Sequence, residues 1–326
     1  MPKQATAKWL SAICAIAALV YLPPASAQFQ AFPPSWNNPP ETEIPSVEHH
    51  TYVSTVLKAD VGYNIYLPDG YVDTDDRYPV LYYLHGAGPR GNESSSATAP
   101  LAALVDAAID DHLIPPLIVI FLNGGAVTFY ADSPDGQYMV ETSIITELIP
   151  YIDATYRTKA SRSNRAITGM SMGGFGALVL AIKHADLFGS VVAYAPALVE
   201  LSPGPDGVLM TTQRGATREV PTPVRVKVAS IMFGGDLEIF DRHSPWSLMP
   251  LHAEELRDRL PIRIVVGDED RFSYRSNLEY SELLDRLSYD HDLVVVPGVA
   301  HEVARLLDAA GRESLIFHAR SGEWVE

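Results

Sequence analysis

Gly169-Met170-Ser171-Met172-Gly173-Gly174 follows the apolar pair Ala166-Ile167 and runs into Phe175-Gly176-Ala177-Leu178-Val179-Leu180. An apolar strand, a glycine-flanked serine and a small-residue helix, in that order, form the G-x-S-x-G turn that lifts a nucleophilic hydroxyl clear of a sheet. The glycines have a steric reason. Strand and helix backbones approach closely on either side of the serine, where a side chain would clash. The pentapeptide is too short to stand alone, so the groups that activate such a serine must be found elsewhere in the chain.

Outward from this turn, strands and helices alternate. Residues 51–57 and 63–67 predict a hairpin, with Lys58-Ala59-Asp60 and Gly62 near its turn. Segments 80–84, 117–122, 165–168, 190–194, 262–266 and 293–296 read as strands, and 99–110, 138–156, 172–184, 274–287 and 302–317 as helices. The strands are continuous runs of Val, Ile and Leu rather than alternations, which is the pattern of a mostly parallel sheet covered on both faces. An antiparallel start followed by strand–helix repeats predicts the α/β-hydrolase fold: a mostly parallel central sheet flanked by helices. Between 197 and 260 the rhythm breaks into Pro, Gly and mixed charge. This stretch is expected to be a lid-like insertion after the strand following the nucleophile helix, a pocket wall rather than a separate domain. The catalytic domain is expected over 47–326.

The first 27 residues have a basic start (Lys3, Lys8), an apolar stretch from Trp9 to Val20 and the small-residue site Ala25-Ser26-Ala27. They read as a signal peptide cleaved after Ala27, which places the protein in the periplasm or outside the cell, with no stable membrane anchor. Cys14, the single cysteine, lies inside that stretch, so the mature chain would carry no disulfide. Residues 28–46 are Pro-rich and form an N-terminal arm. With 24 basic against 40 acidic residues the chain has a net charge of −16, which argues against nucleic acid as a partner. Its 326 residues, 47% hydrophobic, are ample for a large core. Nothing in the sequence specifies an oligomeric state.

In open α/β sheets, functional groups collect beyond the carboxyl ends of the strands. Strand 80–84 ends in His85-Gly86-Ala87-Gly88, and this loop is expected to supply one oxyanion donor, the Ala87 N–H; the residue after the nucleophile, Met172, supplies the other. Gly86, Gly88 and Gly91 also match G-x-G-x-x-G. No helix opens immediately after them and no acid ends a following strand at the right distance, so a dinucleotide site is rejected. Strand 262–266 ends in Gly267-Asp268-Glu269-Asp270, where a carboxylate would orient a catalytic imidazole. Asp270 is favoured because the turn needs room before a side chain can face the histidine; Asp268 is the alternative. Strand 293–296 runs into Pro297-Gly298-Val299-Ala300-His301, and position alone selects His301 from the 10 histidines as general base. Ser171, Asp270 and His301 thus follow in the chain order of this fold, unlike the orders of chymotrypsin or subtilisin. No His, Cys and carboxylate cluster has metal-ligand spacing, so neither metal nor organic cofactor is implied.

Three stretches carry a resemblance: Tyr78-Pro79-Val80-Leu81-Tyr82-Tyr83-Leu84-His85-Gly86, Glu147-Leu148-Ile149-Pro150-Tyr151-Ile152 with Tyr156-Arg157-Thr158, and the extended turn from Gly169 to Ala177. Through them the chain resembles the "putative esterase" (esterase D-like) family of α/β-hydrolases from about Tyr52 onward. Phe233-Gly234-Gly235 and Ser244-Pro245-Trp246 resemble the family's segment between nucleophile and acid. The family includes feruloyl and other carbohydrate esterases, formylglutathione hydrolases and mycolyltransferases. The resemblance implies the same triad and an ester substrate, on a small molecule or a polysaccharide. An exported feruloyl or acetyl esterase is the expected function. An acyltransferase using the same acyl-enzyme is the alternative, and a non-catalytic binding protein on the same scaffold the third reading. Phe129, Tyr130, Phe240 and Trp246 are the aromatics expected on an acyl pocket, with a place in the core as the other reading of each.

Overall fold

The computed structural model describes residues 35–88, 91–204, 206–217 and 222–324. The expected signal peptide, 1–27, and the first part of the expected arm, 28–34, lie outside the described residues. The chain begins with an antiparallel pair, β1 (Val47–Ser54) and β2 (Ala59–Tyr66). Then come β3 (Val80–Leu84), α1 (Thr98–Asp110) and β4 (Ile118–Leu122). Helix α2 runs from Val140–Thr142 through a π-helical turn, Ser143–Leu148, into Ile149–Thr155. Pro150 explains the wide turn: it has no N–H to donate back and its ring crowds the carbonyl one turn earlier, which a π turn relieves.

Strand β5 (Arg165–Met170), α3 (Met172–Lys183) and β6 (Ser190–Tyr194) follow. The segment expected as an insertion holds a small hairpin, β7 (Val199–Pro203) with β8 (Leu209–Gln213), and helices α4 (Thr222–Phe233), α5 (Leu237–Asp241) and α6 (Pro245–Leu256). The chain returns to the sheet through β9 (Ile262–Gly267), α7 (Tyr274–Arg286), β10 (Asp292–Val296) and α8 (Val303–Ser321).

Eight strands form the main sheet in the order β1-β2-β4-β3-β5-β6-β9-β10. β1–β2 and β2–β4 are antiparallel, and every other pair is parallel. The uniform burial of the central strands divides by alternation. Val80, Tyr82 and Leu84 of β3 enter one core with α2 and α3, while Leu81 and Tyr83 enter the other with α1 and α8. This is the α/β-hydrolase architecture, and β3, β5, β6, β9 and β10 point their carboxyl ends at one edge of it.

One local reading needs correction. Ala59 to Gly62, expected near the hairpin turn, lie within β2, and the turn is Thr55 to Lys58 with Lys58 at φ 55°. Glu147 decides this: its carboxylate accepts the backbone N–H groups of Thr55 (2.9 Å) and Val56 (3.2 Å), a long-range anchor that local turn chemistry does not reveal.

Candidate active site

Ser171 is the single residue between β5 and α3, and its backbone stands at φ 58°, ψ −116°. That conformation costs a serine about 1–3 kcal/mol and persists only where neighbours over-determine it. Here they do. The Ser171 N–H donates to the Tyr194 carbonyl at 2.9 Å, and its carbonyl accepts from Ala197 (2.9 Å) and Phe175 (3.0 Å). The glycines have the steric role expected of them: a Cβ on Gly173 would stand 2.0 Å from the Leu84 carbonyl oxygen, and one on Gly169 2.4 Å from that of Gly173.

Ser171, Met172 and Ala87 line one cavity of about 180 Å³. Met172 is the first residue of α3, so its N–H has no partner within the helix and the positive end of the helix dipole faces the same space. The loop bearing Ala87 is fixed by His85, which is buried. His85 Nε2 accepts the Gly124 N–H at 3.0 Å, so Nδ1 carries the proton and donates to the Gly86 carbonyl at 2.9 Å. Burial holds this imidazole down to about 4, which keeps it neutral in that tautomer.

Asp270 Oδ2 accepts from His301 Nδ1 at 2.6 Å, with the carboxylate side chain fully buried and the imidazole 22% exposed. Oδ1 accepts from the backbone of Phe272 (2.9 Å) and Ser273 (3.0 Å), and the Ser273 hydroxyl donates to Oδ2. Burial pushes the Asp270 carboxyl up, but the His301 hydrogen bond and charge and the Ser273 bonds outweigh it, so its pKa lies below the usual carboxylate value. Asp268 has another task, accepting the Gly298 N–H at 2.7 Å and so tying the two strand-end loops together. Phe272 lies edge-on to the His301 ring, centroids 5.3 Å apart, and also lines the cavity with Ser171.

The aromatics sort differently from the expectation of an acyl pocket. Phe129 lines the cavity; Tyr130 and Phe240 are core residues, and Trp246 is half-buried against the core. Phe129 and Tyr130 both adopt positive φ (53° and 58°), and successive left-handed residues send their side chains to different places. Tyr130 is wedged against Gly124 and Gly176, with its hydroxyl on the His85 carbonyl at 2.9 Å. Phe240 packs edge-on to Phe233, and Trp246 edge-on to Tyr280 while donating to the Leu198 carbonyl. The rest of the cavity is aliphatic in one part, with Val127 from the β4–α2 loop and Val199, Val224 and Val228 from 197–260, and polar in another, with Thr211, Thr212, Gln213 and Arg225. Among the described residues no group of His, Cys and carboxylate side chains could hold a metal ion, and no helix is long and apolar enough to cross a membrane.

A glycine-flanked serine with strained backbone, standing between a strand and a helix of this sheet, is the nucleophile turn of the α/β-hydrolase fold. Residues 54–303 match the family described as "Putative esterase", and the chain belongs to that family. Esterase Rv1288 of Mycobacterium tuberculosis is 31% identical over 154 residues, which cover 46% of this chain and 32% of that protein. The endo-1,4-beta-xylanase/feruloyl esterase of Xylanibacter ruminicola is 39% identical over 134 residues, 39% of this chain and 18% of that protein. The chain therefore spans less than a third of the length of these curated relatives. Among solved structures, a ferulic acid esterase superposes with a TM-score of 0.67 at 23% identity, covering 84% of this chain and 98% of that one. The S-formylglutathione hydrolase from Agrobacterium tumefaciens gives 0.66 at 19% identity, covering 84% and 94%. These two likenesses show the fold.

Proposed function

We propose that this protein is an exported serine esterase that hydrolyses carboxylic esters through an acyl-enzyme. The observation that carries the reading is the buried Asp270 carboxylate on His301 Nδ1, with the imidazole edge-on to Phe272, which lines the same cavity as the strained Ser171. With Nδ1 donating to Asp270, Nε2 is free to take the Ser171 hydroxyl proton as Oγ forms its bond to the ester carbonyl carbon. The carbonyl oxygen becomes an oxyanion held by the Ala87 and Met172 N–H groups. Collapse breaks the bond to the alcohol oxygen, which leaves with the proton from His301. Water then gives a proton to His301 and attacks the acyl carbon; the acid departs and Ser171 regains its hydrogen.

The acyl group enters the cavity lined by Phe129, Phe272 and valines, which suits an apolar or aromatic acyl chain. Feruloyl esters of plant polysaccharides are the substrate class that this lining and the feruloyl esterase relative favour together. Export through residues 1–27 would bring the enzyme to such a polymer. Ser171→Ala should lower turnover of p-nitrophenyl esters by about 10⁶, and retained turnover would refute the mechanism. A panel from acetate to methyl ferulate tests the acyl assignment, which fails if only short aliphatic esters are cleaved.

A further inference from the structure

Residues 35–38, ahead of β1, are strapped across the β3–α1 loop, which carries Ala87, and the neighbouring β4–α2 loop. The Trp36 carbonyl accepts the Gly62 N–H at 2.6 Å, and the Trp36 ring lies against Gly125, 3.2 Å from where a Cβ would stand. The Asn123 amide donates both to the Ser35 carbonyl (2.9 Å) and to Glu93 Oε2 (2.7 Å). Asn38 donates to the same carboxylate twice, from its backbone N–H (2.5 Å) and from Nδ2 (3.2 Å), while its carbonyl accepts the Ser94 hydroxyl at 2.7 Å. Glu93 is buried, 1% exposed, and each of these partners is a donor.

The contacts continue inward. Asn123 Oδ1 accepts the Gly125 N–H at 2.9 Å, Gly124 donates to His85, and His85 holds the Gly86 carbonyl. Gly88 donates to the Ala126 carbonyl at 2.9 Å. Ala87 lies between the two anchored residues, and its N–H must point within about 0.5 Å and 10–20° of the developing oxyanion to be useful. We propose that Ser35 to Asn38, clamped by Glu93 and Asn123, are a positioning element for the oxyanion loop, so that this strap ahead of the sheet sets turnover without touching substrate.

The inference rests on the esterase reading above, with Ala87 as a donor. Glu93→Gln keeps size and shape but sets an amide N–H against the Asn123 amide, which cannot turn because its Oδ1 holds Gly125. Asn38→Pro is a second variant in a part-exposed segment outside the core; it removes both the backbone N–H and the Nδ2 donor that Asn38 gives Glu93. A lost oxyanion donor costs about 10²–10³ in rate, so a misaimed one should cost roughly tenfold or more. Both variants are expected to lose that factor in kcat/KM per Ser171 titrated with a fluorophosphonate. The Ki of a trifluoromethyl ketone, whose hemiketal oxygen occupies the hole, should rise by a similar factor, with the Ki of the alcohol product, which does not reach the hole, unchanged. Unchanged kcat/KM in the folded variants, or equal losses for ketone and alcohol, would overturn the proposal. If Ser171→Ala itself keeps turnover, the esterase reading has failed instead.

Discussion

Asp270→Asn is the sharpest test of the site because the surrounding hydrogen bonds dictate how the amide must sit. Two backbone N–H groups, of Phe272 and Ser273, converge on Oδ1 and require an oxygen there. The new amide nitrogen therefore takes the place of Oδ2, facing His301 Nδ1, which is 2.6 Å away in the native protein. Two N–H groups cannot share that distance, so the imidazole proton moves to Nε2, and Nε2 can no longer accept the Ser171 proton. The Ser273 hydroxyl turns from donor to acceptor, so the fold is kept. A wrong tautomer with intact geometry costs about 10⁴ in kcat, or ~5.5 kcal/mol at 1.36 kcal/mol per decade. Asp268→Asn is the control: it retains the oxygen that accepts from Gly298 and should stay within about twofold of wild type. Steady-state hydrolysis of p-nitrophenyl acetate at neutral pH reads both. An Asp270→Asn enzyme within tenfold of wild type, or an equal loss in Asp268→Asn, would refute the assignment.

Gly173→Ala should unfold the turn rather than merely slow the enzyme. Its Cβ would meet the backbone of Leu84 at 2.0 Å and of His85 at 2.7 Å, contacts that no rotamer change relieves. A loss beyond the usual 1–3 kcal/mol of overpacking is expected, and a wild-type Tm would contradict it. Acid should destabilise the protein through its buried neutral histidines. Burial holds His85 down to about 4 and His318, which bonds Ser190, down to about 3. The unfolded chain protonates near 6.5, so the contribution is complete above that pH and is lost as pH falls through the folded values. Each group adds a slope of about 1.4 kcal/mol per pH unit in that window. Urea unfolding from pH 7 to 4 should show a flatter slope for His318→Phe, and an unchanged slope would disprove this account.

The central strands were legible because a strand covered on both faces must be apolar along its whole length. Residues 80–84 and 190–194 coincide with β3 and β6, and the helices after β5 and β9 begin at the expected residues. Less legible was the first hairpin, whose turn is set by Glu147 from far along the chain, and the π turn of α2. The hairpin and helices within 197–260 are short and only partly buried, so they carry no clean period.

Ser171 at its turn, and Asp270 and His301 as candidates at later strand ends, could be picked out from the sequence, since each stands where an apolar run stops; that Asp270 and His301 are hydrogen-bonded is seen only in the fold. The strained backbone of that turn is held by its neighbours, the Tyr194 carbonyl and the Ala197 N–H, but its place in the chain is marked by the local pattern of apolar residues and glycines. The cavity wall and the strap were decided only by tertiary structure. Which aromatic faces the cavity depends on two left-handed residues, Phe129 and Tyr130, and on glycines of other elements that receive the Tyr130 ring. Phe272 reaches the site only because Asp270 bends the backbone after it, and Ser35 to Asn38 matter only once Glu93 and Asn123 are brought beneath them. Contacts between segments that distant leave no period in the chain, because their partners are chosen by the folded arrangement of loops and not by neighbouring residues.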